Sequence, residues 1–323
     1  MRPPKLLVAL SVLLALGTSD AAPPHITFFL VDDLGWNDVS MHGSKQIQTP
    51  NIDSLAASGI RLNNYYVNPV CSPTRASLLS GRSVIHHGIY TPYNNGNAAS
   101  GLNLSYTLLP QHLKASYGYA CYAVGKWHLG VKSPAYLPSH RGFDRYFGFY
   151  SGVMDYWTHA QSVDVDPDSG TVSNLGLDLH IGGADFGRAH ELDAPVYNTS
   201  GDYSTLMFAR KASAWIEDHA QARPHVPMFL YLPFQGIHSG DNHFVQAPDA
   251  YIRRFERISP NATCGSWSTT EEGTCTLAAM RKSVAAAVSA VDDAVGDVVR
   301  ALQRAGMYRD SLIVLSTDNG MTT

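Results

Sequence analysis

The chain contains 323 residues, of which 45% are hydrophobic and only 15% are charged, and this composition excludes a disordered, self-repelling polypeptide. The length suffices for one large α/β domain or two medium-sized ones. A net charge of −4 without any basic block argues against nucleic acid as a partner, and four cysteines are too few for a disulfide scaffold.

The N-terminus has the pattern of a secretory signal peptide. Arg2 and Lys5 supply positive charge, residues 6–16 form an uncharged apolar run, and small residues at positions 19 and 21 suit a cleavage site. A membrane anchor would need ~20 apolar residues, and this run is shorter. We therefore predict a cleaved signal peptide over residues 1–21, no membrane span, and a mature protein of the secretory pathway, lysosomal or extracellular. N-glycosylation patterns occur at Asn103, Asn198 and Asn261.

Two kinds of apolar segment alternate along the rest of the chain. Continuous β-branched and aromatic runs predict buried strands, and apolar residues at three- and four-residue spacing predict helices. The strands are predicted at 26–31, 119–124, 228–232 and 312–315, and the helices at 50–58 (with Thr49 as cap and Gly59 as stop), 108–116, 203–219 and 277–305. This alternation predicts an α/β fold with a mostly parallel central sheet and helices on both faces. Residues 164–202, rich in Gly and Asp, predict an irregular excursion over the carboxyl edge of the sheet.

Oxygen-bearing side chains follow the first and the last predicted strand. Asp32 and Asp33 come directly after the first strand, and Asp318 and Asn319 follow the last one. Ligands of open α/β sheets bind beyond the carboxyl ends of the strands, and carboxylate and amide oxygens suit Ca²⁺ or Mg²⁺ rather than zinc. The alternative is that both pairs are ordinary turn residues.

Cys71 precedes a predicted helix that starts at Pro73 and Thr74 and carries Arg75 in its first turn. A helix N-terminus stabilises negative charge, so Cys71 is either an activated nucleophile or a small buried thiol. Cys264 and Cys275 bracket a short polar loop and could pair locally.

The segment around Cys71 resembles the signature of the type I sulfatases. The matching residues are Cys71-Ser72-Pro73-Thr74-Arg75 with the downstream Leu78-Leu79-Ser80-Gly81-Arg82. Further segments match in the family's order: Val31-Asp32-Asp33-Leu34-Gly35-Trp36, Gly125-Lys126-Trp127-His128-Leu129-Gly130, Arg141-Gly142-Phe143-Asp144 and Ser316-Thr317-Asp318-Asn319-Gly320. Within the family the chain is most similar to the arylsulfatase B group, the N-acetylgalactosamine-4-sulfatases, with the related arylsulfatases I and J.

The resemblance implies an alkaline-phosphatase-like fold and a role for each matching residue. Cys71 would be oxidised to formylglycine by the formylglycine-generating enzyme, and its hydrate would attack the sulfur of a sulfate ester. One Ca²⁺ would be held by Asp32, Asp33, Asp318 and Asn319, with the modified Cys71 also touching it. Arg75 would hold the hydrate, Lys126 would neutralise sulfate oxygens, His128 would orient or deprotonate the hydrate, and His238 would contact sulfate and assist the leaving group. Lys126 and His128 are two residues apart, so in an extended segment they are expected to share one face.

The resemblance also implies a class of substrate, and two alternatives to a sulfatase function stay open. The expected substrate is an aryl sulfate or a sulfated sugar such as the N-acetylgalactosamine 4-sulfate of glycosaminoglycans. Family members continue well beyond the Asp-Asn-Gly motif, so residues 22–323 are expected to form an incomplete N-terminal catalytic domain without the smaller C-terminal domain. The alternatives are a truncated, non-catalytic product that folds poorly or only binds sulfated sugars, and a phosphodiesterase of the same superfamily. Two further interpretations are structural: His86 and His87 support the fold, and Asp292 with Asp293 forms a solvated pair on the long helix.

Overall fold

The computed structural model of the protein describes residues 22–93, 101–165, 172–183, 193–240, 245–258 and 277–320. The predicted signal peptide (residues 1–21), the Cys264–Cys275 pair and the Asn261 acceptor lie outside the described residues. Within the described ranges, every helix is too short or too polar to cross a bilayer.

The strands that the structure describes are β1 (His25–Val31), β2 (Ala120–Lys126), β3 (Arg145–Phe149), β4 (Ala160–Val165), β5 (Val172–Leu177), β6 (Leu179–Gly182), β7 (Ala194–Pro195), β8 (Met228–Pro233) and β9 (Ser311–Thr317). Seven of these described strands form one sheet in the order β7-β6-β3-β2-β8-β1-β9, and β4 and β5 form a separate antiparallel pair. Strands β3, β2, β8, β1 and β9 run parallel, while β6 and β7 add an antiparallel edge. The predicted mostly parallel sheet is confirmed.

Helices cover both faces of this sheet, as predicted. They are α1 (Pro50–Ser58), α2 (Cys71–Ser80), α3 (Val84–His87), α4 (Leu109–Tyr117), α5 (Ser204–Ala222), α6 (Asp249–Ile252) and α7 (Leu277–Arg304). Residues of α1, α5 and α7 pack into the hydrophobic core on one face, and residues of α2 and α4 pack into the core on the other. Along α7, Val288, Val291 and Val295 are fully buried, and each such side chain contributes about 1.5–3 kcal/mol of transfer free energy.

Residues 164–202 contain more regular structure than the sequence predicted. Instead of an irregular excursion, the described part of this range includes β5, β6 and β7. Leu179 of β6 pairs with Phe149 of β3, so β6 belongs to the central sheet. A four-residue strand with Gly at its end lacks the length and periodicity that single-sequence patterns detect, because its pairing depends on distant partners.

The interpretation of Asp292 as part of a solvated pair is wrong. Asp292 is only 2% exposed and accepts hydrogen bonds from the Asn51 backbone N–H (3.2 Å), the Asn51 side-chain amide (2.8 Å) and the Ile52 N–H (2.9 Å). Thr49 occupies the N-cap position of α1, but its side chain accepts no capping hydrogen bond from a backbone N–H of the first turn; its hydroxyl instead donates to the Asp53 carboxylate (2.9 Å). The carboxylate from α7 therefore supplies the acceptor for the N–H groups of the first turn of α1, which have no partner within the helix.

Candidate active site

The candidate site lies where the parallel strands end. The carboxyl ends of four of these strands carry most of the residues that the sequence singled out: Asp32 and Asp33 after β1, Lys126 as the last residue of β2 with His128 after it, His238 after β8, and Asp318 and Asn319 after β9. Backbone hydrogen bonds join the loops, because the Asp32 N–H donates to Gly236 (3.0 Å) and the Asp318 N–H donates to Val31 (3.2 Å). Carboxyl ends of parallel strands meet at one edge, so the topology gathers side chains that are distant in sequence.

Two buried cations and two buried carboxylates form the base of the site. The Arg75 guanidinium donates to Asp318 Oδ2 from Nε (3.0 Å) and Nη2 (2.7 Å), and its Nη2 lies 3.3 Å from Asp32 Oδ1. Lys126 Nζ donates to Asp32 Oδ2 at 2.6 Å. The side chains of all four residues are fully inaccessible to solvent. Buried charges of this kind persist only when they are paired or bound to another charged group.

Charge pairing sets the protonation of this cluster. Burial disfavours the ionised form of Asp32, but the adjacent Lys126 and Arg75 charges outweigh it and lower the pKa of Asp32. Burial and the neighbouring Asp32 charge raise the pKa of Asp318 to about 6. Burial also works against the charged form of Lys126, yet the Asp32 carboxylate raises the pKa of Lys126 above its ordinary value. Both cations therefore stay charged at neutral pH.

Gly125 allows Lys126 to reach this cluster. Its φ is +126°, and a Cβ atom there would lie 1.9 Å from the carbonyl oxygen of Pro233 at the end of β8. Only glycine tolerates this combination of backbone angle and close contact.

Several oxygen atoms in the site fit a hard divalent cation. Asp32 Oδ1 and Asn319 Oδ1 are buried and accept no hydrogen bond among the described residues. Asp33 lies beside them, because its N–H donates to Asp318 Oδ1 (3.2 Å) and one of its carboxylate oxygens accepts from the Asn319 amide. Buried oxygens that accept no hydrogen bond are rare, and carboxylate and amide oxygens are the ligands that Ca²⁺ prefers. The four predicted metal ligands therefore lie together.

Cys71 stands at the centre of this arrangement as the first residue of α2, two positions before the predicted helix start. Its Sγ belongs to two groups of potential metal ligands, one with Asp32 and Asp318 and one with Asp33 and His238, and the ligand atoms within each group lie within 4.8 Å of one another. Burial raises the pKa of the Cys71 thiol to about 12, despite the nearby Lys126 charge. The unmodified side chain is thus a protonated thiol at neutral pH and a poor nucleophile.

Hydrogen bonds among His128, Ser72 and Tyr93 fix the position of the His128 ring. Its ring Nε2 lies 3.0 Å from the carbonyl oxygen of Tyr93, while the Ser72 hydroxyl donates to the His128 carbonyl (3.0 Å) and accepts from the Tyr93 N–H (3.1 Å). A carbonyl oxygen can only accept, so Nε2 carries the hydrogen. Nδ1 is buried without a hydrogen-bond partner among the described residues. Burial and the Lys126 charge hold the pKa of His128 well below its ordinary value, so the ring is a neutral base whose free lone pair is on Nδ1.

The backbone at His128 differs from the expected extended segment. His128 has a φ of +55°, and its N–H donates to the carbonyl oxygen of Tyr150 at 3.0 Å. The chain therefore turns after Lys126. Lys126 extends from the end of β2, whereas His128 extends from the turn that follows it. Sequence reasoning missed the positioning roles of Ser72 and Tyr93; Ser72 lies inside the Cys71 segment, whereas nothing local identifies Tyr93.

His238 approaches the site from the loop after β8. Its Nδ1 lies 2.9 Å from the Ser239 carbonyl oxygen, which assigns the ring hydrogen to Nδ1 in the neutral form. Its Nε2 lies 3.8 Å from Asp33 Oδ2. The Tyr156 hydroxyl, which the sequence did not single out, donates to the His238 carbonyl at 2.7 Å and anchors the loop. Of the two histidines predicted to support the fold, His87 is buried, accepts from the Ile89 N–H (3.1 Å) and contacts the Ser77 hydroxyl (3.0 Å), whereas His86 is exposed.

Comparison with known proteins gives a consistent result. The sequence profile described as Sulfatase matches residues 24–323. The chain is 36% identical over 305 residues to Arylsulfatase J of Mus musculus, covering 94% of this chain and 44% of the relative. It is 30% identical over 326 residues to N-acetylgalactosamine-6-sulfatase of Mus musculus, covering 98% and 54%. The chain thus spans about half the length of these curated relatives.

A solved structure shares the fold. The chain superposes with a TM-score of 0.72 and 28% identity on Ps i-CgsB in complex with k-i-k-neocarrahexaose, covering 93% of this chain and 59% of that one. The structural neighbours include sulfatases of the alkaline-phosphatase-like fold, as the resemblance implied.

Proposed function

Because this chain belongs to the sulfatase family, we propose that it supplies the catalytic centre of a sulfuric ester hydrolase. One observation carries the proposal: Lys126 and Arg75, two fully buried cations, share the carboxylates of Asp32 and Asp318 directly beside Cys71. With a divalent cation on the adjacent oxygens, the positive charge would exceed that of the Asp32, Asp33 and Asp318 carboxylates. Such a site would suit an anionic ester whose negative charge grows in the transition state.

Each side chain takes a role that follows from its contacts. Lys126 Nζ, buried, charged and paired with Asp32, neutralises the negative charge of the sulfate oxygens. His128 accepts a proton at Nδ1, since Nε2 is committed to Tyr93. His238 presents Nε2 beside Asp33 and Cys71, where it contacts the ester or its leaving oxygen. Arg75 fixes both carboxylates and, through Nη1, the Lys126 carbonyl at 3.1 Å.

We propose Asp32, Asp33, Asp318 and Asn319 as the ligands of one Ca²⁺. The buried oxygens without hydrogen-bond partners on Asp32 and Asn319 support this assignment. When bound, the ion supplies positive charge next to the sulfate group. The residues themselves do the positioning: Asn319 orients Asp33 through its amide, and Asp318 accepts from the Asp33 N–H.

We propose that Cys71 is converted to formylglycine by the formylglycine-generating enzyme. The hydrate of that group supplies an oxygen nucleophile with a second ionisable hydroxyl, which a thiol lacks. The raised pKa of the Cys71 thiol supports the need for such a conversion, because a protonated thiol does not attack an ester efficiently. The conversion takes place during secretion, in agreement with the signal peptide proposed for residues 1–21 and with a lysosomal or extracellular destination.

The proposed substrate is a sulfated sugar containing N-acetylgalactosamine. The name of one relative, N-acetylgalactosamine-6-sulfatase, supports this choice, and Ps i-CgsB holds an oligosaccharide. The predicted 4-sulfate is a narrower proposal, so the test includes both the 4-sulfate and the 6-sulfate.

The test is sulfate release by the purified, secreted protein in Ca²⁺, measured by ion chromatography with 4-nitrophenyl sulfate and with both N-acetylgalactosamine sulfates. Cys71→Ala is expected to lose activity to the background rate. Cys121→Ala is the matched control, because Cys121 is also a buried free cysteine but lies inside β2. Equal rates for the wild type and Cys71→Ala would show that the proposed function is wrong.

A further inference from the structure

A row of stacked rings runs across the sheet, away from Lys126. The hydroxyl of Tyr146 donates to the carbonyl oxygen of Gly125 at 3.2 Å, so the row starts beside Lys126. The Tyr146 ring stacks on Tyr150 with centroids 5.5 Å apart and an interplanar angle of 9°. Tyr150 stacks in turn on His180, with centroids 4.3 Å apart and an angle of 24°. His180 is the outermost ring of this aromatic row.

The strand register gives the distance from Lys126 to the outer end of the aromatic row. Lys126 pairs with Phe149 across β2 and β3, and Phe149 pairs with Leu179 across β3 and β6. Neighbouring strands are about 4.8 Å apart, so the backbone at Leu179 lies roughly 10 Å from that of Lys126. His180 follows Leu179 directly. His180 pairs with Gly148, one residue before Phe149, so the aromatic row ends beside the carboxyl edge of the sheet, roughly 10 Å across it from Lys126.

The aromatic row lies on the face of the sheet that carries Cys71. Leu179 packs into the core under α5 and α7, and successive side chains of a strand point to opposite faces. Tyr146 packs in the core that contains Ala76 and Leu79 of α2, the helix that starts at Cys71. His180 stacks at the end of the row on this second face.

His180 is fixed in orientation and keeps one ring nitrogen free. Its Nδ1 lies 2.7 Å from the carbonyl oxygen of Asp178, so Nδ1 donates, and in the neutral ring Nε2 is an acceptor. Among the described residues, no hydrogen bond reaches Nε2, and the side chain is 18% exposed. The Asp178 carboxylate is itself held by the N–H groups of Tyr150 (3.1 Å) and Ser151 (3.0 Å).

We propose that His180, supported by Tyr150 and Asp178, forms a subsite for the sugar portion of a carbohydrate sulfate. The proposal rests on the proposed function and identifies a residue that would distinguish sugar sulfates from aryl sulfates. His180 Nε2 accepts a hydrogen bond from a sugar hydroxyl, and the outer face of its ring contacts the C–H groups of the pyranose. A simple aryl sulfate has no such hydroxyl, so His180 determines specificity for sugar sulfates without touching the sulfate group.

The test compares substrate preference in His180→Ala. The ratio of kcat/KM for N-acetylgalactosamine sulfate (the faster isomer) to that for 4-nitrophenyl sulfate is expected to fall about five- to tenfold, the loss for one hydrogen bond. His180→Gln, whose amide oxygen also accepts a hydrogen bond, should recover part of the ratio. His112→Ala, at an exposed histidine of α4, is the matched control and should leave the ratio unchanged. An unchanged ratio in His180→Ala, or a wild type that hydrolyses only the aryl ester, overturns the subsite.

A binding measurement separates failure of the subsite from failure of the proposed function. If the wild type and Cys71→Ala release sulfate at equal rates from every ester, the proposed function fails, and the subsite is then tested by calorimetry. In the Cys71→Ala background, adding His180→Ala should weaken the binding of N-acetylgalactosamine sulfate about five- to tenfold and leave inorganic sulfate binding unchanged. Equal affinities for the sugar sulfate with and without His180 overturn the subsite in this case.

Discussion

The Nε2–H group of His128 donates a hydrogen bond to the carbonyl oxygen of Tyr93 across 3.0 Å, 35 residues away in sequence. This contact decides which nitrogen can act as a base, because it leaves the lone pair on the buried Nδ1. The Ser72 hydroxyl closes the arrangement by bridging the Tyr93 N–H and the His128 carbonyl. The residue next to Cys71 thus orients the proposed base.

Ser72→Ala should therefore slow turnover more than it weakens substrate binding. We expect kcat for 4-nitrophenyl sulfate to fall about 10- to 100-fold from misplacement of the base, with little change in KM. The ¹⁵N shifts of the His128 ring should also show a mixture of tautomers. Ser213→Ala is the matched control, since the Ser213 hydroxyl has no hydrogen-bond partner among the described residues. A kcat that falls no further in Ser72→Ala than in this control contradicts the positioning role.

Asp292→Ala should destabilise the fold more than Asp293→Ala does. Asp292 accepts three hydrogen bonds from the start of α1, and losing this buried cap should cost about 2 kcal/mol of unfolding free energy. The Asp293 side chain is 39% exposed in its pair with Arg254, so its loss should cost about 0.5 kcal/mol. Chemical denaturation of both variants checks the prediction. Equal losses would mean that the capping contacts carry no particular stability.

The unfolding free energy should decrease as the solution is acidified, in part because of His219. Its Nε2 donates to the Val226 carbonyl (2.8 Å), its Nδ1 accepts from the Tyr122 hydroxyl (3.0 Å), and burial lowers the pKa of His219 below the ordinary 6.5. A lowered folded-state pKa gives stability above about pH 6.5 that is lost as the pH falls, by up to about 1.4 kcal/mol per pH unit. His219→Gln should flatten this slope between pH 7 and 5, measured by urea denaturation. His112→Gln, at an exposed site, should leave the slope as in the wild type.

Ca²⁺ should stabilise the protein through the four proposed ligands. At a free concentration 100 times the Kd, binding adds about 2.7 kcal/mol of unfolding free energy, so chelation should lower the Tm of the wild type. Asn319→Ala removes a buried oxygen without a hydrogen-bond partner and should reduce both the calorimetric Ca²⁺ affinity and the Tm shift. Asp310→Ala, at a carboxylate before β9, serves as the control. If Ca²⁺ raises the Tm of Asn319→Ala as much as that of the wild type, the ligand assignment is wrong.

Local patterns predicted four of the nine described strands, β1, β2, β8 and β9, and the polar residues at their ends. The apolar run of β1 is followed directly in sequence by an acidic pair, and β9 is followed directly by Asp318. Because the carboxyl ends of parallel strands lie at one edge of the sheet, these residues can be predicted to lie close together without knowledge of side-chain contacts. The cap at Asp292 was missed because its partner Asn51 lies 241 residues away. His180 was missed for a similar reason: β6 is short, and its place beside β3 is set by tertiary pairing.

The most direct measurement is the mass of the residue at position 71. Trypsin separates Cys71, in the peptide covering residues 62–75, from Cys121, in the peptide covering residues 115–126, so the second cysteine is an internal control. In protein secreted from eukaryotic cells and active on 4-nitrophenyl sulfate, we predict the aldehyde of formylglycine at position 71 and an intact thiol at position 121. An active preparation with thiols at both positions would contradict the account.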